Sequence, residues 1–428
     1  MIDISSMTNK EWDLIVVGGG MTGVAAAVAA KREGVENVLL IEKAGYLGGA
    51  AATSLITPFM RFYTTVDGKQ YLLSRGFFTE LRALMRETGA QNDKDYTIHE
   101  EYLKVALDRL VKKEGIQPLY HAMLCGVHKD GETITAVDVA TKAGRLTFKA
   151  RYFIDCTGDA DLAAQAGCPF HLGRPDGLCQ PMTLCFRVGN VDTSVFWKGM
   201  KDVQKKYKEL KAAGEIRNPR EDVLVFTTLD EGVIHFNTTR VVKHDPTNPF
   251  DVTEAEMIAR EQMVEMVEFL RKYAAGCEHC QLLYSASEIG ARESRMIDGE
   301  YLLTETDLKN CTRFEDAIAA GNYDIDIHNP EGSGTSHYFF EDGTWYTIPY
   351  RSLQPRNADN LLVAGRCISS THEAQASYRI MPIVTTLGEA AGVAVAVAND
   401  DHTGVKQADV KKIQATLEKN GAFTGLNA

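Results

Sequence analysis

The run Asp13-Leu14-Ile15-Val16-Val17 is apolar, β-branched and free of alternation, which predicts a parallel strand covered on both faces. The small-residue stretch from Val24 to Arg32, stopped near Gly34, predicts a helix, and Val38-Leu39-Leu40-Ile41 predicts a second buried strand. Residues 136–140 and 146–149 alternate instead, with turns at Lys129-Asp130-Gly131 and Lys142-Ala143-Gly144, and predict a small antiparallel meander. Continuous apolar runs return at residues 151–155 and 360–364; the second leads through residues 368–379 into an apolar helix over 381–398. Between these lie two excursions. Residues 59–92 read as largely helical. Residues 170–345 carry strands near 182–188 and 223–237 and a long helix from Thr253, whose hydroxyl and Glu256 make a capping box. Residues 321–343, rich in Gly, Asn, Asp and aromatics, predict a long ordered loop, a kind that is more often functional than idle.

Composition narrows the class. The chain has 428 residues, 44% hydrophobic and 24% charged, ordinary for a globular protein of more than one domain. A formal charge of -12 without a basic stripe speaks against nucleic acid or an anionic membrane as partner. Residues 1–12 lack an apolar signal core, and no apolar run reaches span length, the longest lying near residues 392–398. Nine scattered cysteines suit free thiols in a reducing compartment, so a cytoplasmic protein with no membrane span is expected.

The chemistry begins where the first strand ends. Gly18-Gly19-Gly20-Met21-Thr22-Gly23 fits G-x-G-x-x-G at Gly18, Gly20 and Gly23. Gly18 allows the turn, Gly20 lets backbone approach a pyrophosphate, and Gly23 lets helix and strand close up, while Met21 and Thr22 sit at the helix start where free N–H groups meet phosphate. Glu42, 19 residues after Gly23 at the tip of the second strand, is placed to accept from ribose hydroxyls, with Lys43 beside it. Gly48-Gly49-Ala50 then suits a loop running under a longer cofactor than NAD, and points to FAD. Thr157-Gly158-Asp159 and Gly365-Arg366 end the two later buried strands, and Met381-Pro382-Ile383 opens the apolar helix, where free N–H groups stabilise charge on a flavin pyrimidine ring. Asp159 and Asp161 either touch the cofactor or cap the short helix that follows, capping being favoured. The fold class is therefore α/β: a Rossmann-type FAD-binding domain of the two-dinucleotide-binding fold, discontinuous over 1–58, 93–169 and 346–428. An inserted α+β substrate or cap domain takes 59–92 and 170–345, with the reactive cleft between them.

Residues 18–49, 153–167, 180–183, 290–303, 346–353 and 360–398 together resemble the FAD-dependent oxidoreductase family, whose flavin domain is similar to those of the glutathione-reductase and succinate-dehydrogenase groups. The resemblance implies bound FAD and hydride passed through flavin N5, without naming the molecule that reacts. Four residues are candidates for the substrate side. Arg292, Arg295 and Arg379 are suited to a polar or anionic substrate, and His372 to moving a proton; for each, a structural role is the alternative. Tyr350 and Arg351 are weaker candidates for the same cleft, and the bet goes against them. The sequence does not show a covalent flavin link through His372 or Cys367. Cys277-Glu278-His279-Cys280 has no second pair to complete a zinc site, and no metal is expected. A single G-x-G-x-x-G leaves no separate NAD(P)H domain, so electrons are exchanged with a small-molecule substrate and with oxygen, a quinone or a protein partner, and an oligomer is allowed. The expected function is hydride transfer between flavin and a small polar molecule. An electron-relay or scaffold subunit, or a flavin monooxygenase, is the alternative.

Overall fold

The computed structural model describes residues 3–92 and 96–426, so the domain boundary expected at residue 93 lies outside the described residues. At the centre is a seven-stranded sheet. Five of its strands run parallel, in the order Gln117–Leu119, Val38–Ile41, Glu11–Val17, the second half of Gly144–Asp155, and Leu361–Val363. Met123–Asp130 and Thr133–Thr141 pair antiparallel with the first half of Gly144–Asp155. That twelve-residue strand unites two segments that the sequence divides at residue 150. Its burial alternates over the first half and is complete over Tyr152–Asp155, because the meander leaves one face to water while the parallel core is covered on both.

Helix Met21–Arg32 lies against helix Met381–Asp400 along one side of the sheet. Their approach depends on two glycines: a Cβ on Gly388 would meet the Thr22 carbonyl oxygen at 2.1 Å, and one on Gly392 the Ala26 oxygen at 2.2 Å. The absence of an apolar run of span length, expected from the sequence, needs revision here. Met381–Asp400 has the length and hydropathy of a membrane span, but 94% of that window is buried inside the protein.

The larger excursion forms a four-stranded antiparallel sheet, ordered Val225–Thr227, Ile234–Phe236, Phe186–Gly189, Gln281–Ser285. Helices Thr193–Ala212 and Pro249–Tyr273 share its core, where Phe186 and Phe236 stack across neighbouring strands. The long helix begins before Thr253. Asn248 caps it by accepting from Phe250 N, Pro249 takes the first turn, and Thr253 donates to the Pro249 oxygen. Glu256 instead accepts from Ile289 N. An Asn-Pro start supplies both an acceptor and a preset φ, so it overrides the capping box read at Thr253. Residues 321–343 are likewise more ordered than a loop, since Ile325–His328 and Thr335–Tyr338 make a hairpin. In the smaller excursion a hairpin, Tyr63–Val66 with Lys69–Leu72, precedes helix Phe77–Thr88. Leu81 and Met85 of that helix share one core with Val24 and Leu387.

Candidate functional site

The first half of the site is made of backbone. Gly18 has φ +101°, and a Cβ there would meet the Cys156 oxygen at 2.4 Å, while one on Gly23 would meet the Gly18 oxygen at 1.8 Å. Gly20 has only the Gly49 Cα, at 3.6 Å, near the place a Cβ would take, so this part of the loop stays open. The double-glycine segment returns beside it through a Gly20–Gly48 bridge and a bond from Gly48 N to the Gly19 oxygen. Helix Met21–Arg32 has no side-chain cap, which leaves its first N–H groups for a ligand. Glu42, at the end of its strand, accepts from Gly19 N at 2.6 Å and from Ala44 N at 2.7 Å, fixing the loop against the strand tip. Lys43 turns outward to Glu288 at 2.8 Å, and Ala50 opens the short helix Ala50–Thr53.

Opposite lies Thr157-Gly158-Asp159. Asp155 is fully buried, and burial pushes its carboxyl up to about 6 even though it accepts from Thr157 and Ala163 N. Thr157 Oγ1 accepts from Asp161 N at the start of helix Asp161–Gln165. Neither Asp159 nor Asp161 caps that helix, which corrects the favoured expectation. Asp159 pairs with Arg366 at 2.5 Å and accepts from Ser294, while Asp161 pairs with Arg295 at 2.9 Å. Burial works against both charges of the Asp159–Arg366 pair. Their mutual attraction outweighs it, holding the carboxyl below its usual range and the guanidinium above. Arg366 Nε has no partner, and Gly365, at φ +128°, faces space where a Cβ would meet nothing nearer than Cys367 Sγ at 4.0 Å. Helix Met381–Asp400 starts with Pro382 in its first turn and no side-chain cap, with Ile383 buried behind it. The open glycine loop, the two uncapped helix starts and the orphaned Arg366 nitrogen fit a long dinucleotide such as FAD.

The second half is made of side chains. His372, on helix His372–Tyr378, is buried with Nδ1 held between both Glu293 oxygens at 2.7 and 2.9 Å. Glu293 is wholly buried and also accepts from Gln180 N at 2.8 Å. Since a carboxylate only accepts, Nδ1 carries a hydrogen, and Nε2 has no partner. The Gln180 side chain bonds Gln375 and receives His328 N, and Gln375 donates to the Arg292 oxygen. The chain of contacts continues into the hairpin, where His328 faces Asp326 at 3.4 Å and Asp326 faces Arg379 at 3.5 Å. Burial, with help from the Arg292 charge, pushes His328 down to about 3, so it is neutral near pH 7.

Arg292 donates to the Pro181 oxygen at 2.7 Å, to Thr183 Oγ1 and to Asn237 Oδ1 at 3.3 Å. Burial and the nearby Arg379, Arg220 and Arg240 lower it to about 9. The structure thus brings Arg292, Arg379 and His372 into one network. It sets Arg295 apart, against Asp161, the Asp159 oxygen and the Phe170 ring. Neither Arg292 nor Arg295 pairs with Glu293, which turns to His372 instead. Tyr350 donates to the Val405 oxygen, and Arg351 pairs with Asp316 on the surface. Glu293, Gln180, Asp326 and His328 carry no role in the sequence reading. Gln180 and Glu293 lie in family-like stretches and Asp326 and His328 in residues 321–343, but nothing in their spacing links them. Two surface hollows, about 440 Å³ near Tyr120 and about 720 Å³ near Arg32, Arg75 and Glu389, contain no residue of this network. Among the described residues no cluster of His, Cys, Asp or Glu suits a metal.

The sequence profile of the family described as FAD dependent oxidoreductase matches residues 13–417, nearly the whole chain. No curated protein matches. Similar solved structures include p-nitrophenol 4-monooxygenase from Pseudomonas putida, at 12% identity and TM-score 0.47 over 97% of this chain and 88% of that one. A geranylgeranyl bacteriochlorophyll reductase-like protein from Thermoplasma acidophilum is similar at 13% and 0.46, over 97% and 84%. A flavoprotein/dehydrogenase from Cytophaga hutchinsonii is similar at 12% and 0.45, over 96% and 83%. At such identities and scores these likenesses assign no activity.

Proposed function

We propose, for a chain that belongs to the FAD dependent oxidoreductase family and takes FAD as its cofactor, that it moves a hydride between flavin N5 and a small polar substrate, with His372 and Glu293 handling the accompanying proton. The observation that carries the proposal is the buried His372 ring, fixed at Nδ1 by Glu293 and unpartnered at Nε2. An imidazole fixed at one nitrogen by a carboxylate, with its other nitrogen unpartnered, is placed to exchange a proton with a substrate hydroxyl or amine. When bound, FAD supplies a two-electron acceptor and donor.

In this proposal Gly18, Gly20, Gly23, Met21 and Thr22 hold the pyrophosphate, and Glu42 and Lys43 the ribose side. Gly48, Gly49, Ala50, Thr157, Gly158, Asp159, Gly365 and Arg366 line the passage to the flavin. Met381, Pro382 and Ile383 present the helix start to its pyrimidine end. Residues 170–345 cover the substrate, and Arg292 and Arg379 position it. Glu293 fixes the His372 ring, and the Gln180 amide N–H in turn fixes Glu293. Arg295, tied to Asp161, is not assigned to the substrate.

The test is anaerobic bleaching of the holoprotein by a panel of alcohols, amines and hydroxy acids, repeated with His372→Gln. Bleaching by one of them, with His372→Gln retaining FAD but reacting about 100-fold more slowly or worse, is the expected result. Equal rates in the two proteins would remove His372 from the mechanism.

A further inference from the structure

We propose that the substrate is an organic carboxylate, bound by Arg292 with Arg379 and Arg220 beside it. The inference rests on the functional reading above and adds the charge of the substrate. Four arginines stand close enough for the other three to act on Arg292: Arg220, Arg240 and Arg379. Each of those three has a carboxylate of its own, Asp222 at 2.9 Å, Glu221 at 3.1 Å and Asp326 at 3.5 Å respectively. Arg292 has none among the described residues; its three acceptors are a carbonyl, a hydroxyl and an amide oxygen. Glu293, next in the chain, is turned to His372 and Gln180. Of the four guanidinium groups, Arg292 is therefore the one that no carboxylate faces among the described residues.

A deeply placed guanidinium without a counterion is costly to the fold, and a chain that keeps one is prepared for an anion from outside. Two other buried donors in the same cluster, Arg379 Nε and Arg220 Nη1, have no acceptor. The pyrophosphate of FAD does not answer this need, because the glycine loop and the start of helix Met21–Arg32 receive it. One unpaired guanidinium with a planar fork of donors suits a carboxylate, whereas a phosphate monoester brings nearly two charges.

The experiment is a titration of the oxidised holoprotein, followed by the flavin absorbance, with acetate, succinate and benzoate, with acetamide and benzamide as neutral matches, and with inorganic phosphate. Saturable perturbation by a carboxylate, at least about 30-fold tighter than by its amide, is expected. Arg292→Gln should keep its FAD and weaken the carboxylate by about 30-fold, and Arg292→Lys should recover part of that loss. The titration reads binding without turnover, so failure of the proton-handling proposal and failure of this one are separable. Equal binding of acid and amide, unchanged binding in Arg292→Gln, or no carboxylate effect up to about 50 mM would overturn the inference. Tighter binding of phosphate than of any carboxylate would overturn it too, as would loss of FAD from both Arg292 variants.

Discussion

At the head of helix Met21–Arg32 the chain offers a ligand its backbone: glycines without Cβ atoms, uncapped N–H groups and one carboxylate, Glu42, all within residues 18–49. Around Arg292 it offers side chains, gathered from residues 180–183, 220–240, 292–293, 322–328 and 372–379. At Gly18 and Gly23 the first region tolerates no added atom, because the partners there are backbone at fixed positions. The second is a network in which each group is held by the next, so single changes are transmitted rather than blocked. On the proposed function, the cofactor falls to the rigid region and the substrate to the adjustable one.

The sharpest way to break this contrast is Gly23→Ala. With the Gly18 oxygen 1.8 Å from the new Cβ, helix and strand must separate, and FAD occupancy should fall more than about tenfold in the purified protein, read from the flavin-to-protein absorbance ratio. Full occupancy would show that the loop is not the pyrophosphate cradle. In the side-chain region, Glu293→Gln should leave FAD bound and lower kcat about 10–100-fold with little change in KM, since the imidazole is still present but no longer held by a charge. A fall in Tm without that split between kcat and KM would mark Glu293 as merely structural.

A third change separates the shared frame from both regions. Glu389, buried in helix Met381–Asp400, accepts from Phe77 N at the uncapped start of helix Phe77–Thr88, and burial raises it from the usual 4.5 to about 8. A raised carboxyl favours the protonated fold, so its stabilisation is complete below about pH 4.5 and is lost as pH rises toward 8, at up to about 1.4 kcal/mol per unit. Glu389→Gln keeps the acceptor without the charge. Its Tm should match the parent at pH 4 and exceed it at about pH 9, and parallel Tm profiles would show that Glu389 ionises freely. The smallest effect is expected from Arg295→Ala. Its pair with Asp161 is partly exposed, so FAD affinity should move no more than a few-fold and turnover should stay within about twofold. A large loss of turnover would return Arg295 to the substrate side.

Legibility in the sequence follows the same division. The glycine loop, Glu42, the double glycine and the Pro382 helix start could be read because their partners are neighbours in the chain, and strand, turn and helix periods are local properties. The long helix was misplaced by four residues only because Asn248-Pro249 is a stronger local start than Thr253. Residues 321–343 hid a hairpin because Asn, Gly and Asp mark turns without marking what the strands pair with.

What the sequence determined by itself is the dinucleotide unit, its FAD-length loop and the identity of the ionisable groups, since backbone geometry and residue chemistry are fixed locally. Which carboxylate meets which cation was decided only by the tertiary structure. Glu293 turns to His372 and not to Arg292 or Arg295; Asp159 holds Arg366; and Arg292 ends without a counterion among the described residues. Those outcomes depend on contacts between segments far apart in the chain, 79 residues for Glu293 and His372 and 207 for Asp159 and Arg366, and ion pairs, unlike helices and strands, have no period along the chain to announce them.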